Sequence, residues 1–154
     1  MNRDSRLSVA LHVLLHMREM AQHGGGPVTS ETLGAMMGTN PVVIRRTLGG
    51  LRDAGIVAAG KGHGGGWSLA ADLGDVSLAD VYESLGVANT FGIGLREEAP
   101  RCPLERGVNR VVGDALAGAE AHLMERFRSV NVADLLETAR KEKNDHARRH
   151  HRGR

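Results

Sequence analysis

The side chains best suited to reading another molecule stand together in one short stretch: Thr39, Asn40, Pro41, Val42, Val43, Arg45 and Arg46. Arginine can bond a guanine edge bidentately, asparagine an adenine edge, and a valine can touch a thymine methyl, while threonine and lysine suit phosphates. Further on, Lys61 and His63 sit in a run of glycines and suit a minor groove or a phosphate backbone. Other chemistry is sparse. Cys102 is the single thiol, placed between Arg101 and Arg106 at the expected start of a helix, and is the candidate redox sensor through a sulfenic acid, a small-thiol adduct or an intersubunit disulfide. The plainer alternative for Cys102 is a small apolar cap residue. His12 and His16 are four apart and could share a metal, but lack a third ligand nearby, so no metal is expected. No nucleophile-base pair or metal-ligand cluster has adequate spacing, and the glycine run precedes a strand-like Trp67-Ser68-Leu69 rather than the helix a phosphate loop needs. An enzyme is therefore not expected.

The elements that must position these residues lie between Thr29 and Ala71. Ser30 is taken as the N-cap of a short helix carrying Leu33, Met36 and Met37 to a core, and is included among the nucleic-acid contacts. Gly38-Thr39-Asn40-Pro41 breaks that helix, since Pro41 suits the first helical position after an Asn cap. Ile44, Leu48 and Leu51 then recur at four- and three-residue steps as a buried face, leaving Val42, Val43, Arg45 and Arg46 outward. Ala54-Gly55 ends the second helix. Ile56-Val57 and Trp67-Ser68-Leu69 are β-favouring runs flanking the glycine loop, which predicts a hairpin. Two helices at a tight turn followed by such a ribbon predict a mostly α fold with a small β-wing, a winged helix-turn-helix whose second helix would enter a DNA major groove.

LGGLRDAGIV followed by KGHGGGWSLA resembles the winged-helix core of the Rrf-two (BadM-type) family of bacterial transcriptional regulators. The positions that carry the likeness are Ala54, Gly55, Gly65, Gly66, Trp67, Leu69 and Ala70. LSVALHVLLHM resembles the family's first helix, VSLADVYESLG its helix after the wing, and CPLERGVN the start of its long dimerisation helix. The resemblance implies a homodimeric repressor that binds a palindromic double-stranded operator and often senses redox state, nitric oxide or iron-sulfur status. Cluster-binding members carry three cysteines between the post-wing helix and the long helix. With Cys102 alone, this chain resembles the cluster-free branch, and no cofactor is expected.

The remaining chain divides into three parts: a DNA-binding domain over 1–86, an effector loop with a dimerisation helix over 87–137, and a disordered basic tail over 138–154. The first helix is expected over Arg6 to Gln22. Ser77-Leu78-Ala79-Asp80 opens a helix with Leu78, Val81, Tyr82 and Leu85 inward, ended by Gly86. From Pro103 a long helix carries Val108, Val111, Val112, Ala115, Leu116, Ala119, Leu123 and Phe127 along one broad apolar stripe. A small domain cannot cover that length, so the stripe is the expected interface of an isologous homodimer. A helix folded back on its own domain is the alternative. Asn131 caps a last segment reaching about Lys141, beyond which apolar anchors are missing.

The chain has 154 residues and a formal net charge of +2, with 41% hydrophobic but only 3% aromatic residues, so the core must be aliphatic and methionine-rich. Its basic character is unevenly spread. Residues 138–154 hold 7 Lys or Arg against 2 Asp or Glu, whereas residues 73–137 hold 6 against 11. The high isoelectric point thus reflects the tail and is not in itself a nucleic-acid signal. No signal-peptide pattern or apolar run of membrane-spanning length is present, and one cysteine permits no internal disulfide, which together predict a cytoplasmic protein without a membrane partner. A small-molecule effector held between the domains is a further expected partner. The competing function is a winged-helix interaction module without specific DNA binding.

Overall fold

The computed structural model describes residues 5–87, 90–95 and 102–151, with side chains as far as Glu142. Its elements run α1 (Arg6–Gln22), α2 (Ser30–Met37), α3 (Pro41–Asp53), β1 (Val57–Gly60), β2 (Gly66–Leu69), α4 (Leu78–Ser84), α5 (Pro103–Arg128) and α6 (Val132–His151).

Aliphatic side chains build most of the core, joined by Met17, as the scarcity of aromatics requires. Ala10, Val13 and Leu14 from α1, Leu33 from α2, and Ile44, Leu48 and Leu51 from α3 are all fully buried. Val57, Leu73, Val81 and Val132 complete the cluster from β1, the segment after the wing, α4 and the start of α6. Burying each such side chain contributes about 1.5–3 kcal/mol relative to solvent. α3 thereby becomes the central element, with one face locked into the core from every side.

The wing is an antiparallel pair in which Val57 stands opposite Leu69 and Gly60 opposite Gly66. A third segment joins it: the Val28 and Trp67 backbones exchange N–H···O bonds of 2.9 and 2.8 Å. Gly66 is required at that crossing, because a Cβ on it would lie 2.9 Å from the Val28 carbonyl oxygen. α4 opens with a full capping box, Ser77 Oγ accepting from the Asp80 N–H and Asp80 Oδ2 accepting from the Ser77 N–H. The link between α5 and α6 docks beside it, with the Leu78 N–H donating to the Val130 carbonyl and the Val132 N–H to the Val76 carbonyl.

Four sequence expectations change. Thr29, not Ser30, caps α2: its Oγ1 accepts from the Thr32 N–H at 3.1 Å. Met36, expected inward, is 46% exposed. α6 continues to His151, well past Lys141, so much of the segment expected as a disordered tail has a helical backbone. Ala, Glu, Lys and Arg are good helix formers, and propagation from an established helix needs no apolar anchor. Finally, the α5 stripe divides. Val108 and Val111 are 60% and 65% exposed, whereas Val112, Leu116, Leu123 and Phe127 are half-buried against the chain's own surface, Phe127 meeting Tyr82 edge to face at 5.7 Å.

Candidate nucleic-acid interface

α3 begins with a tightly specified turn. Gly38 takes φ +61 and closes α2, and Asn40 caps α3 through Oδ1, which accepts from the Val42 N–H at 2.8 Å, with Pro41 in the first turn. The cap fixes which side of α3 faces outward. Ile44, Thr47, Leu48 and Leu51 go to the core, and Val42 and Val43 are left 60% and 43% exposed beside Arg45 and Arg46. An apolar pair flanked by guanidiniums at the start of an exposed helix has the composition of a major-groove reader.

The two arginines are not equivalent. Arg45 Nη2 bonds Glu31 Oε1 on α2 at 3.0 Å, with both side chains more than half exposed. Among the described residues Arg46 has no carboxylate partner, whereas Arg18, Arg52 and Arg128 pair with Asp72, Asp53 and Glu83. Arg46 therefore presents an unneutralised charge. Asn40 has one lone pair of its carbonyl oxygen committed to the cap, which leaves its amide NH2 and a second lone pair for a base edge. Thr39 is half-buried and donates to the Met37 carbonyl at 3.4 Å.

Ser30 departs most from expectation. It is 3% exposed and its Oγ accepts from Trp67 Nε1 at 3.0 Å, so it is a strut between α2 and the wing and does not reach a nucleic acid. Lys61 and His63 stand exposed in the turn between β1 and β2, where Gly62 and Gly64 take φ +83 and +76. The strut and the Val28 bridge thus set the wing's angle to α2 and α3. Glu31 and Arg6 belong to this surface and were not singled out from the sequence.

Cys102 occupies the N-cap of α5, half-buried, and its side chain makes no capping bond. Arg101, its expected neighbour, lies outside the described residues. The preceding loop is tied down by Tyr82, whose hydroxyl pairs with Thr90 Oγ1 at 2.7 Å, and Thr90 donates on to Glu120 Oε1. The His12 and His16 rings are 6.0 Å apart, and among the described residues no group of three His, Cys, Asp or Glu side chains could hold a metal. Among those residues, too, no helix is long and apolar enough to cross a membrane.

An exposed helix-turn-helix with an attached wing defines the class: a winged-helix transcriptional regulator, not an enzyme. The sequence profile of the Rrf2 family, described as iron-dependent transcriptional regulators, matches residues 3–138, and the chain belongs to that family. Among relatives it is similar to YwnA of Bacillus subtilis (strain 168), named as an HTH-type transcriptional regulator, at 27% identity over 135 residues covering 86% of this chain and 96% of that protein. A solved transcriptional regulator from Lactobacillus plantarum superposes with a TM-score of 0.73 at 24% identity, covering 93% of this chain and 99% of its own. A second solved chain, presented as a DNA-binding protein, gives 0.66 at 25% identity, covering 86% and 99%. The iron in the family's description does not fit this donor set: the chain has one cysteine, and among the described residues no three His, Cys, Asp or Glu side chains are grouped to hold a metal, whereas a cluster is normally held by several thiolates.

Proposed function

We propose that this regulator is a homodimeric repressor that reads a two-fold operator in the cytoplasm through paired α3 helices, with the wings on the flanking backbone. The observation that carries the reading is the outward face of α3: Val42, Val43 and Arg46 are exposed on a helix whose opposite face is fully buried, beside a wing tip bearing Lys61 and His63. A rigid helix with an unneutralised arginine favours a nucleic acid over a protein partner. The exposed Leu104, Val108 and Val111 on α5 support self-association, because apolar side chains at steps of four and three form a seam that water covers poorly. Half-sites would then lie about one helical turn, or a multiple, apart.

Fluorescence anisotropy on the protein's own upstream DNA, against an unrelated duplex at moderate salt, tests this. Arg46→Ala should lower specific affinity by about 1–3 kcal/mol and reduce the salt slope by about one charge, with the fold unchanged. Unchanged affinity in both Arg45→Ala and Arg46→Ala would remove α3 as the reader. For the signal, a thiol switch at Cys102 predicts release by peroxide that Cys102→Ser abolishes, and peroxide release unchanged by that substitution removes the thiol switch.

A further inference from the structure

The interior of α3 carries two adjacent glycines, and the fold accounts for one of them. A Cβ on Gly50 would fall 2.5 Å from the Ser84 carbonyl oxygen, so packing against α4 excludes a side chain there. Gly34 of α2 is explained in the same way, since its Cβ would lie 2.7 Å from the Thr39 carbonyl oxygen. At Gly49 a Cβ would meet nothing within 4 Å. Its backbone is ordinary helix, outside the set of glycines with positive φ, so no turn demands it either. Glycine is among the poorest residues for a helix interior, because it loses the most backbone freedom on folding. Gly49 therefore weakens α3, and nothing in the chain's own packing requires it.

Its place on the helix supplies a reason. Val42, Arg46 and Gly49 follow one another at steps of four and three, which puts the glycine on the outward face of α3. Val42 and Gly49 are seven positions apart, roughly 10 Å along the helix axis. The major groove is about 12 Å wide, so a helix that meets bases with Val42 and Val43 carries Gly49 to the rim of the groove, where the sugar-phosphate chain runs. Arg46 lies one turn before Gly49 and Arg52 one turn after it, both exposed. Asp53, the carboxylate on this part of α3, is held by Arg52 through Nε at 3.1 Å and Nη2 at 2.8 Å.

From this arrangement we infer that Gly49 is a seat for one strand of the DNA backbone: the missing side chain lets a sugar-phosphate unit pass against the helix, and the guanidiniums of Arg46 and Arg52 meet its phosphate from either side. The inference deepens the reading of α3 as the DNA reader and rests on it. The Gly49 amide is used within the helix, so the phosphate is held by the guanidiniums and the glycine contributes clearance alone. Such a contact carries no base information. It sets the depth and angle at which α3 enters the groove, and so whether Val42 and Val43 reach base edges.

The test compares full-length Gly49→Ala and Gly49→Leu with wild type, by urea unfolding and by fluorescence anisotropy on the protein's own upstream DNA and on an unrelated duplex. Alanine is the best helix former and meets no obstacle at this site, so Gly49→Ala should raise the folding equilibrium constant about fivefold. Operator affinity should move the other way, falling about threefold in Gly49→Ala and at least thirtyfold in Gly49→Leu, with the salt slope of Gly49→Leu shallower by about one charge. Replacing single operator phosphates by neutral methylphosphonates should reveal a linkage whose loss weakens wild type at least fivefold and Gly49→Leu less than twofold. If Gly49→Ala is less stable than wild type, the fold itself needs this glycine. If Gly49→Leu binds operator as wild type does, DNA does not pass there. Either result overturns the inference, and α3 stands as the reader provided that Arg46→Ala is still impaired. Wild-type protein that shows no operator preference overturns both.

Discussion

Gly50 of α3 packs directly on Ser84 of α4: a Cβ on Gly50 would meet the Ser84 carbonyl oxygen at 2.5 Å. That contact is backbone to backbone, so neither partner can yield by rotating a side chain. Gly50→Ala should therefore push α4 off α3 and destabilise the fold by about 1–3 kcal/mol, despite the higher helix propensity of alanine. Urea unfolding measures it. A neutral or stabilising outcome would mean that the two helices are not held at this spacing in solution.

The bond from Trp67 Nε1 to Ser30 Oγ ties the wing to α2 across an interval of 37 residues. Ser30→Ala leaves a half-buried indole N–H without its partner and should cost about 1–3 kcal/mol. Operator affinity should fall as well, because the angle of the wing is set partly through this strut. In a double-mutant cycle with Trp67→Phe, the coupling energy should be favourable and on the order of 1 kcal/mol. Additive effects would show that the bond does not contribute.

How much of this was legible in the sequence depends on whether the deciding contact is local. The start of α3 is written in four adjacent residues, Gly38 to Pro41, and its buried face follows from apolar spacing alone, so the helix was readable without a structure. Thr29 and Ser30 are both competent caps, and what separates them is Trp67, far along the chain. Sequence spacing could not decide between them. The Phe127 contact with Tyr82 is non-local in the same way, and it divides a stripe that periodicity treats as one face. The close packing of Gly50 on Ser84 had no sequence signal at all, since it joins two separate helices. The length of α6 was missed for the opposite reason: a polar, charged run reads as solvated, yet a helix can continue through it on backbone bonds alone.

Glu31 stands on the surface proposed to meet DNA yet carries the wrong charge for it, and its bond to Arg45 at 3.0 Å would offset that charge. Because both groups are largely exposed, the pair contributes little to stability, about 0–1 kcal/mol. Its effect should lie in specificity. Glu31→Gln frees Arg45 to reach any phosphate, so affinity for unrelated DNA should rise about threefold and the preference for the operator should shrink. Unchanged binding to both duplexes would show that the pair neither restrains Arg45 nor shapes the surface field.

Asp72 links α1 to the segment after the wing. Its Oδ1 accepts from the Gly74 N–H at 2.9 Å and from Arg18 Nη1 at 3.3 Å. The Gly74 bond first, then the Arg18 hydrogen bond and charge, hold its carboxyl below the ordinary value of 3.8. The depressed folded value means that the contribution is present above the unfolded pKa and lost as pH falls through the folded one. Asp72→Asn should therefore be less stable than wild type at neutral pH, with the gap closing under strong acid. A gap of constant size at both pH values would assign the loss to altered turn geometry rather than to the charge.

Leu104, Val108 and Val111 are 80%, 60% and 65% exposed, at steps of four and three along α5. Three branched apolar side chains in a row on a long helix form a self-complementary strip, and pairing two such strips about a two-fold axis would remove them from water together. None of the three belongs to the buried core of the single chain, so a charge placed there tests association without attacking the fold. Val108→Glu with Val111→Glu should convert a dimer to a monomer by light scattering, with circular dichroism unchanged. Operator affinity should fall at least a hundredfold, because a lone α3 reads one half-site. If the wild-type protein is already a monomer at micromolar concentration, the two-fold operator loses its basis and α5 must be covered by some other partner.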